Sequence, residues 1–186
     1  MVMIEHRRVS WKAVAIGGAI LGGLGVAALV SRRTSTPPKR VALIGDSYAV
    51  GLGPELAKVL TDFKFEGHVG TNTSQWAHHA AACGQCGDWL TAFKPDVVLV
   101  ALGVNDGTAP NLTNYQTIVR ALHGLGARVL WIEPPAAVNA PAVRAVIASL
   151  GVQTVPAPTL PMAPDGLHPS AYNPWSIGIM RDVDRM

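Results

Sequence analysis

Charge is scarce in this sequence. Asp, Glu, Lys and Arg make up 15% of its 186 residues, against 49% hydrophobic residues. That balance excludes a disordered, charge-rich chain. Cysteine is almost missing, with Cys83 and Cys86 alone, so this is not a disulfide-built scaffold. The 19 glycines follow no G-X-Y period, which excludes a collagen helix. No internal repeat or low-complexity tract is present. Acid is nearly absent from the first forty residues, where Glu5 stands against Arg7, Arg8, Lys12, Arg32, Arg33, Lys39 and Arg40, a net of +6. The remaining residues hold eight basic and eleven acidic side chains, a net of −3. The overall charge of +3 and the pI near 9.1 therefore belong to the N-terminal segment. The rest lacks the basic footprint that a phosphate backbone demands, so no nucleic-acid partner is expected.

Residues 1–12 form a basic N-terminus. Residues 13–30 (AVAIGGAILGGLGVAALV) then carry no charge over eighteen positions. At about 1.5 Å per residue this approaches the ~30 Å core of a bilayer. Trp11 and Lys12 on one side and Arg32 and Arg33 on the other suit interfacial anchors. The segment predicts one transmembrane helix. Its rival is a cleaved signal peptide ending at the small residues Val26-Ala27-Ala28. The length of the run and the basic residues after it favour a retained anchor. Gly18 and Gly22 form a small-xxx-small pair on which two such helices could self-associate, although composition alone also accounts for them. Basic residues on both sides leave the orientation open, and an extracytoplasmic or virus-particle location is the expectation for residues 41–186. Residues 31–40 (SRRTSTPPKR) read as a Pro-stiffened linker.

From residue 41 to 186 strand and helix patterns alternate. Val41 to Ile44, Phe65 to Val69, Asp96 to Leu102, Arg128 to Ile132 and Val152 to Val155 read as strands. Leu52 to Phe63, Trp76 to Phe93 with glycine interruptions, Asn114 to Leu125, and Pro141 to Leu150 read as helices, and a last helix begins after Ser170, delayed by Pro174. Such alternation implies a parallel sheet covered on both faces. Ligands of such sheets bind beyond the carboxyl ends of the strands. The polar clusters fall there: Gly45-Asp46-Ser47, Gly70 to Ser74, Gly103 to Asp106, and Asp165 to His168.

Ser47 stands where a strand gives way to a helix, so its hydroxyl is exposed beside free backbone N–H groups. A serine needs a base to become a nucleophile, and His168 is the candidate. Asp165, three residues earlier, can reach the far ring nitrogen and fix its tautomer. Asn105 offers an N–H2 to an oxyanion, and the N–H groups of Ser47 and Gly70 can complete the hole. Taken singly, these residues also fit a helix cap, a turn and a structural histidine.

These residues also carry a resemblance. VALIGDSYAVGLG, VGTNTSQW, LGVNDG and DGLHPS are similar, in order, to four sequence blocks of the SGNH (GDSL) hydrolases, and the likeness runs from about Arg40 to Ile177. It implies a flavodoxin-like three-layer α/β/α sandwich with a five-stranded parallel sheet, and neither metal nor organic cofactor. It implies Ser47 as nucleophile, His168 as base, Asp165 as its orienting acid, and Gly70 and Asn105 as oxyanion donors. In the second block, the Thr71 N–H or Asn72 are alternatives to Gly70. The chain departs from the family in its hydrophobic N-terminus. It also has no obvious lid insertion, and an open site suits an acyl group on a bulky or polymeric carrier.

Cys83-Gly84-Gln85-Cys86 invites other readings. The flanking pattern is wrong for a thioredoxin motif. A zinc site with His78 or His79 lacks a second ligand pair. A local disulfide between Cys83 and Cys86, or two buried thiols, remain. Trp76, Trp89 and Trp131 read as packing residues. The expected function is a membrane-anchored serine esterase that removes acetyl or other short acyl groups from envelope carbohydrate or lipid. The competing classes are a non-catalytic envelope or virus-particle component built on a hydrolase-like domain, and an assembly protein whose Gly-rich helix is the working part.

Overall fold

The computed structural model describes residues 39–83, 88–156 and 158–186, with backbone alone at 81–83. The predicted span at 13–30, its flanks, and Cys86 lie outside the described residues, as does the side chain of Cys83. Among the described residues no helix is long and apolar enough to cross a membrane.

Five strands, β1 (Val41–Gly45), β2 (Phe63–Gly67), β3 (Val97–Ala101), β4 (Arg128–Ile132) and β5 (Gln153–Val155), form one parallel sheet in the order β2-β1-β3-β4-β5. Six helices connect and cover it: α1 (Ser47–Leu56), α2 (Thr73–Cys83), α3 (Asp88–Phe93), α4 (Leu112–Gly124), α5 (Pro141–Ser149) and α6 (Asn173–Asp184). Strands β1 and β3 read as unbroken apolar runs because both their faces are buried. In β1, Ala42 and Ile44 pack into one core with Trp76, Leu90, Tyr115, Ile118 and Ile147. Val41 and Leu43 point the other way, into a second core with Tyr48, Leu52, Trp175 and Ile179. Helices α2 to α5 thus cover one face and α1 and α6 the other, giving three layers.

Several boundaries differ from those read in the sequence. Helix α1 starts at Ser47 rather than Leu52 and stops at Leu56, because the buried Asp46 caps it by accepting the Tyr48 N–H at 2.9 Å. Two glycines in that helix disguise it: the Tyr172 ring lies over Gly51 and the Phe65 ring over Gly53, where a Cβ would not fit. Phe63 opens β2 instead of closing α1, since the register pairs Val41 with Phe63. Val69, expected in that strand, lies beyond it and is 75% exposed. Strand β2 is an edge strand, and Lys64 and Glu66 give it the polar character that edges carry. Lys39 and Arg40, assigned to the linker on sequence, are tied into the domain. Lys39 Nζ donates to Val183 O at 2.8 Å, and the Arg40 N–H donates to Asp96 Oδ2 at 2.8 Å.

Strand order reverses between β1 and β3, so the crevice for a ligand opens above the carboxyl ends of those two strands. Gly45 is required there: a Cβ would stand 2.2 Å from the Ala101 carbonyl oxygen of β3.

Candidate active site

Ser47 is the first residue of α1 and lies above that crevice, half-buried. His168 Nε2 is 2.9 Å from Ser47 Oγ, and His168 Nδ1 is 2.7 Å from Asp165 Oδ2. Three side chains from two distant segments therefore form one hydrogen-bonded line, serine to imidazole to carboxylate. With Nδ1 protonated toward Asp165, Nε2 carries the lone pair that can take the serine proton.

The loop that presents His168 is built around Asp165. The other oxygen of Asp165, Oδ1, accepts the N–H groups of Leu167 and His168, both at 2.9 Å. The His168 backbone N–H leads in holding the Asp165 carboxyl down at about 2, with the imidazole and the Leu167 N–H adding to it. Asp165 therefore stays a carboxylate at every pH where the fold would be assayed. Ala163 N donates to His168 O at 2.7 Å, and Ser170 N to Pro161 O at 2.9 Å, closing the loop at its base.

Tyr48 ties this loop to the helix that carries the serine. Its hydroxyl donates to Leu167 O at 2.9 Å, and its ring meets His168 edge-on with centroids 5.8 Å apart. On its other side the ring packs against Trp175 of α6 at 5.2 Å. Sequence reasoning missed Tyr48. An aromatic residue after the serine reads as core, and it is core at 2% exposure. Its contact with the histidine loop arises only in three dimensions.

Asn105 sits in a 3-10 turn, Val104–Asp106, in the loop after β3. The turn is entered through Gly103 at φ 118°, where a Cβ would strike the Tyr115 hydroxyl. Asn105 Nδ2 donates one hydrogen to Thr71 O at 2.8 Å; its second amide hydrogen is available to a ligand. Asp106 accepts the Thr73 N–H at 2.9 Å and also the Thr73 hydroxyl. The loops after β2 and β3 are thereby pinned together. Gly70 lies in the exposed turn that precedes Thr71, at φ 77°, a conformation that suits glycine. The His68 N–H, bonded to Gly45 O at 3.0 Å, holds that turn against the end of β1. The structure thus brings Asn105 and the Gly70–Thr71 turn together, and brings Ser47, Asp165 and His168 together.

Asp46 is fully buried, and among the described residues its Oδ2 has no hydrogen-bond partner. Burial pushes its pKa up to about 7, the Tyr48 N–H opposes the shift, and the Asp106 charge adds to it. The remaining candidates lie apart from this chemistry. His78 and His79 are exposed on α2, and among the described residues no three His, Cys, Asp or Glu side chains converge to hold a metal. Trp131 is buried with its N–H on Leu102 O at 3.1 Å, and the Trp89 indole N–H bonds Glu66.

The sequence matches no known family profile and no curated protein. Solved structures do match. One is a Streptococcus pneumoniae protein described as a platelet activating factor, with TM-score 0.57, 17% identity, and coverage of 81% of this chain and 86% of that one. Another is described as a GDSL-like lipase of Bacteroides uniformis, with TM-score 0.52, 17% identity, and coverage of 80% and 96%. The chain shares with these structures the fold alone, here a three-layer α/β/α sandwich on a five-stranded parallel sheet. The four sequence blocks are linked in pairs, by Tyr48 to Leu167 O, His68 N–H to Gly45 O, and Thr73 to Asp106.

Proposed function

We propose that the chain is a serine ester hydrolase that removes acetyl or other short acyl groups from envelope carbohydrate or lipid through an acyl-enzyme. The hydrogen-bonded line Ser47–His168–Asp165 carries this reading. In the first half-reaction His168 Nε2 takes the Ser47 proton as Oγ attacks the ester carbonyl. The negative charge that develops on the carbonyl oxygen is met by the free Asn105 amide hydrogen and by backbone N–H groups of Ser47 and Gly70. His168 then gives its proton to the leaving alcohol oxygen as the ester C–O bond breaks. Water repeats the sequence on the acyl-serine and releases the carboxylic acid. Asp165, charged throughout, stabilises the imidazolium in both halves. The non-catalytic reading gains no support from this geometry, because a structural domain has no use for an aligned serine, imidazole and carboxylate.

Residues 13–30 serve in this proposal as a membrane anchor that keeps the domain at the envelope surface. The decisive experiment is labelling of the full chain with a fluorophosphonate, followed by peptide mapping and a screen of acyl esters. The expected adduct is on Ser47, and Ser47→Ala abolishes both labelling and turnover, with kcat down by several powers of ten. Turnover that survives Ser47→Ala removes the proposal.

A further inference from the structure

Two small clefts flank the 71–75 segment that carries the oxyanion side of the site. One, of about 150 Å³, is lined by Asn72, Ser74, Asn105, Asn111 and Asn114 among others. The second, of about 170 Å³, lies between Glu66, His68, Thr71, Gln75, Trp76 and His79. Asn105 belongs to the first cleft and is bonded to Thr71 in the wall of the second, so both adjoin the proposed oxyanion hole.

Their chemistry is selective. Among the described residues neither cleft is lined by lysine or arginine, and the side chains that do line them do not suit a phosphate or another anionic group. Each contains one carboxylate, and both are occupied. Glu66 Oε1 pairs with His68 at 2.7 Å and Oε2 accepts the Trp89 indole N–H. Asp106 spends its two oxygens on Thr73. A cationic ligand is thus also poorly served. What remains is amide and hydroxyl. Amides donate and accept at once, which matches a ligand rich in neutral hydroxyl groups. Several are already oriented by the backbone: Gln75 Oε1 accepts the Asn72 N–H at 2.9 Å, and Asn72 Oδ1 accepts the Gln75 N–H at 3.0 Å. Their free N–H2 groups are therefore held in place before any ligand arrives, which lowers the ordering cost of binding. In the second cleft the exposed His68 ring, which lies 5.9 Å from the buried Trp76 ring at a tilt of 47°, adds one aromatic surface for the C–H groups of a ring. The clefts are also far smaller than the ~300–1,000 Å³ pockets that enclose drug-sized ligands.

We infer that these clefts are subsites for neutral sugar rings, so that the substrate is an O-acylated, uncharged oligosaccharide and not a lipid ester. This inference rests on the ester-hydrolase reading and narrows it.

The test uses the full-length chain and three substrates: 4-nitrophenyl acetate, an O-acetylated neutral oligosaccharide, and a micellar long-chain acyl ester. The oligosaccharide is expected to be cleaved with higher kcat/KM than the micellar ester. Asn114→Ala and Gln75→Ala, each removing about one hydrogen bond, should lower kcat/KM on the oligosaccharide by about fivefold to tenfold more than on 4-nitrophenyl acetate. A binding readout stands apart from turnover. In Ser47→Ala, titration with the oligosaccharide should shift the side-chain amide signals of Asn72, Gln75 and Asn114 in NMR spectra. Preference for the micellar ester, or an unchanged ratio between substrates in both variants, overturns the sugar subsites and leaves the hydrolase standing. No turnover of any ester removes the hydrolase reading and this inference with it.

Discussion

At the scale of single residues, the stretch Asp46-Ser47-Tyr48 concentrates three tasks. Ser47 carries the hydroxyl, Asp46 caps the helix that presents it, and Tyr48 bonds the loop that carries His168. Tyr48→Phe removes only the bond to Leu167 O while keeping the ring in its packing against Trp175. The expected outcome is a kcat lowered about fivefold with KM nearly unchanged, because one net hydrogen bond of about 1 kcal/mol is lost from the positioning of His168 and none from substrate binding. A raised KM with unchanged kcat in steady-state kinetics would place Tyr48 among the substrate contacts instead. Asp46 supplies a pH signature. Its pKa is raised to about 7 in the fold from an ordinary value near 3.8, so the folded state retains a proton that the unfolded chain releases. Stability tied to this group is present at pH below about 4 and is lost as pH rises toward 7. Asp46→Asn keeps the acceptor for the Tyr48 N–H and does not titrate. Its melting temperature, read by calorimetry against the native chain, should gain from pH 4 to pH 7 and level off above. A gap that stays constant with pH would show that Asp46 does not titrate in that range.

At the scale of elements, the site depends on how closely β1 and β3 approach one another. Gly45 lets the Ala101 carbonyl oxygen lie against the end of β1, and the Asp46 N–H bonds that same oxygen at 3.0 Å. Gly45→Ala is expected to destabilise the domain by about 3 kcal/mol in urea titrations, since both sides of the clash are buried backbone and cannot give way. Gly124→Ala, at the end of α4 with nothing within 4 Å of the new methyl and no positive φ, should be neutral or stabilise by up to about 1 kcal/mol. Equal effects at the two positions would refute the close-approach argument. Element order was legible because β1, β3 and β4 are short, mostly apolar runs and most helices show a 3.6-residue apolar spacing. The boundary at α1 was not, because Gly51 and Gly53 read as breakers. Their lack of a side chain is used instead to seat the rings of Tyr172 and Phe65, which come from elsewhere in the chain.

At the scale of the whole molecule, the chain separates into residues 1–35 and a second unit from Thr36 to Met186. The fragment Thr36–Met186 should fold and keep full turnover on 4-nitrophenyl acetate, since every proposed catalytic group lies within it. A shorter fragment beginning at Val41 should melt lower, because it loses Lys39 to Val183 O, the Arg40 N–H to Asp96, and the bond from the Asp96 N–H to Arg40 O at 2.8 Å. Equal melting temperatures would return residues 39–40 to the linker. The proposed anchor at residues 13–30 is tested by carbonate extraction of membranes carrying the full chain, which should leave the chain membrane-bound. What the sequence by itself determined is the alternation of elements and the identity of the residues at the ends of strands, because apolar periodicity and loop chemistry are local properties. Ser47, Asn105, Asp165 and His168 were legible as candidates on that basis. Tertiary structure alone decided the rest: the 2.9 Å contact between Ser47 and His168, the Tyr48 clasp on Leu167 O, the pinning of Asn105 to Thr71, and the two clefts beside it. Each of these joins residues far apart in the chain, and such distances are set by sheet order and packing, on which local periodicity carries no information.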